Sequence, residues 1–264
     1  MPLVFHVTEN ELDNEVDNEL SMRTLPFLVI TIISGAIAGT ILGIINLGIV
    51  EPYIDKAIEL ETQKDIQAGQ NVNLDEIVGY RIWQKGGEIV GGIIYGISLS
   101  SLFGIVFAYS RNSLPTSNDK VKAIFLASIM CFVLFIVPAL KYPANPPAVG
   151  APETIYYRQG LFVGFLVISG ATALAAAAII LKKIDGTTSK KISIACAIYG
   201  AVMLVSYLVM PPNPDKISIP IDLIITFRFA SALTISMFWG ILGLTFGTLW
   251  GKFEPHKFEK ITAF

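Results

Sequence analysis

Charge is scarce in this chain. Only 15% of its 264 residues are Asp, Glu, Lys or Arg, while 53% are hydrophobic. Soluble domains carry roughly 25% charge, so the shortage argues against a water-soluble fold and points to a bilayer as solvent. The mean hydropathy of +0.63 agrees. Cysteine and histidine are scarcer still, at two each, which excludes a disulfide framework or a zinc ribbon. His6 and His256 lie on terminal stretches, and Cys131 and Cys196 lie within apolar runs. A histidine metal site in a helical bundle is therefore not expected, and each cysteine reads as a small hydrophobe. A Walker A run, His-Glu-x-x-His and Cys-x-x-Cys are all missing, so the chain alone does not look like an ATPase or a metalloenzyme. No nucleophile–base constellation recommends a lipid-modifying enzyme, and no cofactor is expected. A net charge of -2 gives no reason to expect a nucleic-acid partner. Residues 1–24 are acidic and lack a basic n-region, so they read as a cytoplasmic tail rather than a cleaved signal peptide.

What is abundant is apolar sequence in long runs. A membrane-spanning helix needs about 20 mainly apolar residues. Six runs qualify: 25–50, 87–109, 121–140, 161–181, 192–210 and 229–250, the last with a possible start at Ile221. The fold class this predicts is an all-α integral membrane protein with about six transmembrane helices. Residues 25–251 form a single polytopic domain, followed by a short cytoplasmic tail at 252–264. The polar connection 51–86 is expected outside. Its first part, EPYIDKAIELETQKDIQ, has no breaker after Pro52 and predicts an extension of the first helix beyond the membrane.

Orientation follows from Lys and Arg near the membrane. Arg111, Lys120 and Lys122 follow the second run, Lys182, Lys183, Lys190 and Lys191 follow the fourth, and Lys252, Lys257 and Lys260 follow the sixth. Both termini are thereby predicted cytoplasmic, in a cell (inner or cytoplasmic) membrane. Lys56, Lys64, Arg81 and Lys85 on the first connection weaken that bias.

Two awkward segments then fall on the outer face, KYPANPPAVGAPETIYYRQG and MPPNPDKISIPIDLIITFR. Each carries an Asn-Pro (Asn145, Asn213), then a proline with an acid close behind (Glu153, Asp222), then an arginine (Arg158, Arg228). Pro152 and Pro220 suit a first helical position. Glu153 and Asp222 then sit in the first turn, where the helix dipole favours negative charge. The shared plan suggests that helices 3–4 and 5–6 are related hairpins, with Glu51-Pro52 and Arg81 as a divergent third copy.

Glycine recurs every fourth residue in three runs: Gly35, Gly39, Gly43; Gly87, Gly91 with Gly92, Gly96; and Gly243, Gly247, Gly251. Such spacing puts bare backbone on one stripe and lets helices approach closely. Packing within one subunit is the simpler reading; a homo-oligomer or a substrate-lining face is the other. Asn46 continues the first stripe and is expected to hydrogen-bond across helices. Most tyrosines and tryptophans fall at predicted helix ends, as interfacial anchors do. Trp239 falls mid-helix and is expected to pack against a neighbour.

Few residues are candidates for chemistry. Glu88, Arg158 and Arg228 lie near the outer ends of apolar runs, where charge is costly. They read either as structural ion pairs or as a polar vestibule that also includes Asn46, Asn145, Glu153 and Asp222. Glu51, Asp55 and Glu59 are spaced four apart on one helical face. A solvated face tolerates that, and a cation-attracting mouth uses the same arrangement, since hard divalent ions prefer oxygen ligands.

IVEPYIDKAIELE, RIWQKGGE, VPALKYPANPPAVGAPETIYYRQ, MPPNPDKISIPIDLIITFRFAS and FWGILGLTFG together resemble the CbtA family of predicted cobalt transporter subunits. The resemblance spans most of the chain, and the Pro-rich stretch is its most specific part. It implies a multi-helix inner-membrane protein linked to Co2+ uptake for cobalamin synthesis. It also implies a small single-helix partner, CbtB, with a histidine-rich tail, which would place imidazole outside this chain. The expectation is a permease subunit for a divalent cation; a non-transporting scaffold of a multi-protein complex is the rival.

Overall fold

The computed structural model describes residues 23–183, 187–214 and 217–256, with backbone alone at 179–183 and 188. The acidic tail, apart from its last two residues, lies outside the described residues, as do His6, Lys216, Lys257 and Lys260 and the side chains of Lys182 and Lys183. The chain runs α1 (Thr24–Ile49), α2 (Glu51–Gln67), α3 (Leu74–Ser110), α4 (Asp119–Lys141), α5 (Ile155–Lys183), α6 (Thr188–Val209) and α7 (Ile221–Phe253). All but α2 are long and apolar enough to cross a membrane. The protein is therefore an all-α, multi-pass membrane protein, because a helix satisfies its own backbone hydrogen bonds where no water can.

Helix α2 extends α1 as expected, across a slight break at Val50, whose N–H still reaches Asn46 O at 2.8 Å. Helix α3 starts well before the expected residue 87. Asn73 caps it, its Oδ1 accepting from Glu76 N–H at 3.3 Å, and Asp75 and Glu76 occupy the dipole-favoured first turn. Its 37 residues make a rod about 55 Å long, longer than the hydrocarbon core of about 30 Å. The connection 51–86 is thus mostly an antiparallel pair, α2 against the head of α3. Helix α7 begins at Ile221, the earlier of its two expected starts. Pro220 caps it rather than opening it, with Asp222 in the first turn.

Bare backbone sets the tightest packing. A Cβ at Gly35 would lie 2.6 Å from Gly96 O, and one at Gly92 would lie 2.6 Å from Gly39 O. Gly43 faces Ile89 and the Glu88 carbonyl. On α7, Gly243 and Gly247 meet Ala127, Ala123 and Lys120 of α4. Only half of the α3 glycine pattern is used: among the described residues nothing lies against Gly87 and Gly91. Gly251 is open as well. Ser100 Oγ, buried, donates to Thr31 O at 2.8 Å and ties α3 to α1 further down. Phe103, Phe107, Phe246 and Trp250 fill the end of this core as edge-on and stacked rings.

Helices α5 and α6 form a separate leaf. Pro138 lacks an N–H, and the ladder widens just before it into one π turn at Phe132–Ile136, where Val137 N–H reaches Phe132 O. Ser169 Oγ of α5 donates to Val133 O there at 2.6 Å, and Tyr199 of α6 joins it at 2.7 Å. Among the described residues α6 packs along α5 and not along α7. The two Pro-rich segments therefore join differently packed helix pairs, so the expected pair of matching hairpins is not seen in the packing. Trp239 is buried against Phe238, as expected of a mid-helix tryptophan. Trp250, Tyr142 and Tyr199 are not interfacial anchors: each packs into a hydrophobic cluster, because α7, α4 and α6 turn these rings inward.

The contrast between used and unused glycines is testable. Gly92→Leu forces α1 and α3 apart and should destabilise the protein by at least about 1–3 kcal/mol, the range for overpacking. Gly91→Leu, one residue away, should leave the midpoint of thermal unfolding in detergent nearly unchanged.

Candidate functional site at the end of the α1–α3 seam

The glycine seam fixes which residues meet at its far end. Helix α1 descends past Gly43 to Asn46, and α2 begins at Glu51. Helix α3 runs the other way and presents Arg81, Lys85 and Glu88, spaced four and three apart on one face. The Arg81 guanidinium donates to Glu51 Oε2, to Asp55 Oδ1 at 2.9 Å and to Gln84 Oε1 at 2.6 Å. Lys85 Nζ donates to Asp55 Oδ2 at 2.7 Å and lies 4.0 Å from Glu51. The Glu51 and Arg81 side chains are only 8% and 11% exposed. A pair that far from water holds only with good geometry and further hydrogen bonds, and Arg81 supplies both.

Of the three acids predicted to form a mouth, Glu51 and Asp55 thus face α3 and are engaged by cations. Glu59 turns to Lys56 at 2.8 Å and Gln63 at 3.1 Å on its own helix. Among the described residues no three His, Cys, Asp or Glu side chains come together in a way that could hold a metal ion. Burial pushes the Asp55 carboxyl up, but hydrogen bonds from Lys85 and Arg81 outweigh it and hold the group below its ordinary value.

Glu88 does not pair with either arginine of the Pro-rich segments. It lies beside the Asn46 amide of α1, with Glu51, Arg81 and Lys85 as the charges facing it. Oε2 of Glu88 and Oδ1 of Asn46 are buried and accept no hydrogen bond from the described residues. Arg228 donates instead to Asn145 Oδ1 at 2.7 Å and Ala144 O at 3.2 Å, clamping α7 to the first Pro-rich segment. Arg158 donates to Thr154 Oγ1 at 3.1 Å and to the Val149 and Ala151 carbonyls, within its own turn. Both arginines serve loop carbonyls because prolines leave so few N–H donors there. Glu153 and Asp222 are exposed in their first turns, away from this cluster.

The two Pro-rich segments do meet. Ser218 Oγ donates to Ala148 O at 2.9 Å, and Tyr142 Oη donates to Pro211 O at 2.6 Å. Lys64 of α2 reaches Ser218 O, and Ala57 packs with Val149, Ile219 and Ile224. Both segments and α2 therefore share one end of the bundle. The opposite end carries the described termini, joined where Arg23 N–H donates to Pro255 O at 2.9 Å. Beside the ion cluster, α2 and the head of α3 enclose a groove of about 520 Å³ lined mainly by Ile58, Ile66, Leu74, Ile77, Val78 and Ile82. Arg81 and Lys85 were missed as site residues. The signal was two acids and two bases at matching spacing on either side of the 68–73 turn.

These features define a class: a multi-pass helical membrane protein whose costliest charges collect at one helix junction. The chain belongs to the CbtA family, described as a probable cobalt transporter subunit, whose family model matches residues 25–251. No curated protein and no solved structure matches it.

Arg81→Ala leaves the buried Glu51 charge with only the more distant Lys85 at 4.0 Å and should cost about 3 kcal/mol in unfolding free energy. The Arg81→Ala, Glu51→Ala double variant should be less destabilised than Arg81→Ala alone. The pH dependence has a definite sign. A depressed carboxyl contributes stability that is present above its unfolded pKa of about 3.9 and disappears as pH falls through the lower folded value. Protection from hydrogen exchange along 51–67, corrected for the intrinsic rate, should therefore fall below about pH 4, and Asp55→Asn should flatten that acid limb.

Proposed function

We propose that this chain is the permease subunit of an uptake system for a divalent cation, Co2+ in keeping with its family, and that it serves cobalamin synthesis. The observation that carries the reading is the junction itself. Carboxylates and an amide oxygen collect where a tightly packed helix pair opens to solvent, and two of their acceptor atoms are unfilled. Charged groups at membrane depth are retained at such cost mainly for ion pathways and relays. The excess of Lys and Arg on the opposite end supports cytoplasmic termini, so the Pro-rich end faces outward from the cell membrane. Asp55 and Glu59 line the approach and raise the local cation concentration. Glu153 and Asp222 add exposed negative charge on the same end.

Oxygen donors alone favour hard ions, and cobalt selectivity calls for softer ligands such as imidazole. A small single-helix subunit with a histidine-rich tail, of the CbtB type the resemblance implies, would bring them. The open face of α3, with Gly87 and Gly91 facing no other described residue, suits the approach of such a helix or of a second copy. That same face supports the rival reading of a scaffold that assembles a complex without carrying cations.

Reconstituted vesicles separate the two. Purified chain, with or without the partner, should carry Co2+ inward. Asp55→Asn with Glu59→Gln should slow uptake a few-fold at low Co2+ and leave the saturated rate unchanged, as loss of electrostatic attraction does. Unchanged uptake at low Co2+ removes these acids from the mechanism. A stable complex with no flux supports the scaffold.

A further inference from the structure

The end of the bundle opposite the Pro-rich segments collects cations, and most of them need no partner. Lys120, Lys190 and Lys252 are exposed there, so water and salt screen them. Arg111 is spent on Asp119, to which it donates at 2.6 Å and 2.9 Å. Lys122 is different. It is only 7% exposed, and among the described residues its Nζ makes no hydrogen bond or ion pair. Lysine is almost never buried unless it is paired, and an ammonium brings three N–H donors.

Helical spacing explains the burial. Helix α4 lays Ala123 and Ala127 against the glycines of α7. Lys122, Leu126 and Met130 follow on a neighbouring stripe, and all three are buried. The Lys122 stem therefore lies over core side chains, as long basic side chains do. Helical side chains lean toward the N-terminus, so the ammonium is carried toward the start of α4 and the membrane surface rather than into the span. Beside it α4 exposes a second stripe, Val121, Phe125, Ile129 and Phe132. That stripe begins level with Lys122 and runs toward the middle of the span. A buried, unpartnered cation thus stands at the head of an exposed apolar track.

We infer that Lys122 binds the phosphate of an anionic phospholipid whose acyl chain lies along Val121, Phe125, Ile129 and Phe132. The phosphate oxygens meet the ammonium donors, and the chain covers the stripe. The headgroup must carry net charge, because a zwitterionic one brings its own cation to the same place. Lys120, two residues away, adds a second positive charge. Asp119 does not compete, since Arg111 holds it. A soluble anion would satisfy the ammonium and leave the stripe unused, as would the acidic residues 1–22. Basic pockets between helices at the membrane surface are where anionic headgroups bind. Such a lipid serves a permease and a scaffold alike, so the site stands apart from the transport reading.

Native mass spectrometry of the full chain in detergent, with phosphatidylglycerol or phosphatidylcholine added, tests the assignment. The protein should hold phosphatidylglycerol in preference, and excess inorganic phosphate should not displace it. Lys122→Met nearly keeps the side-chain volume and should weaken phosphatidylglycerol binding at least about fivefold, leaving no preference between the lipids. Lys122→Arg should keep the preference. Lys190→Met, which removes an exposed charge on the same end, should leave it intact. Lys122→Met also removes an unpaired buried charge, so in phosphatidylcholine it should melt no earlier than the unaltered protein. Phe125→Asn, on the exposed stripe, should weaken binding without touching the core, which keeps the test sound if Lys122→Met fails to fold. If Lys122→Met retains the preference, or if Lys190→Met loses it equally, the attraction is general to the basic surface and the inference is overturned. It is overturned as well if inorganic phosphate displaces the lipid, which makes the occupant a soluble anion. Lipid binding that strengthens manyfold when the acids of residues 1–22 are neutralised would assign Lys122 to that segment instead.

Discussion

The contact of backbone on backbone between α1 and α3 is the constraint from which the rest of the molecule follows. Gly35, Gly39 and Gly43 on one helix, and Gly92 and Gly96 on the other, let the chains touch without side chains between them. In lipid there is no hydrophobic gain from helix association, so close van der Waals packing and a few interhelical hydrogen bonds must hold the pair. Ser100 to Thr31 is one such bond. The observed register sets Gly35 against Gly96 and Gly39 against Gly92. That register carries Glu51 and Asp55 of α2 to Arg81 and Lys85 of α3, and it sets Asn46 beside Glu88.

The junction then works as a structural clamp with one carboxyl left outside it. Arg81 and Lys85 hold α2 against the head of α3. The Pro-rich segments brace the same end by other means. Their prolines remove N–H donors, and Arg158 and Arg228 donate to the carbonyls and amide that remain. Two arginines that look from the sequence like partners for Glu88 are thereby occupied, and Glu88 is left with an amide for company.

Much of the architecture was legible before any coordinates. Long apolar runs and the bilayer's demand for satisfied backbone identified the six spans. The Asn-Pro segments at matching places announced that they share one end, and Ser218 to Ala148 joins them there. Composition could not announce that α3 starts at Leu74, because its head is polar and its first turn depends on the Asn73 cap. Nor could spacing separate Gly92 and Gly96, which pack, from Gly87 and Gly91, which do not. Both pairs have the same period, and only the neighbouring helix distinguishes them. The arginine partners were out of reach for a related reason: a guanidinium attracts loop carbonyls as readily as carboxylates, and the loop's shape decides between them.

Register is therefore the claim to test directly. In a background with Cys131→Ser and Cys196→Ser, cysteines can be placed in pairs across α1 and α3 and oxidised in lipid. Asn46→Cys with Glu88→Cys should cross-link readily, and Asn46→Cys with Tyr95→Cys, about two turns away, should not. Efficient cross-linking of the second pair with none in the first would mean a different seam, and the alignment of acids, bases and amide described above would be wrong.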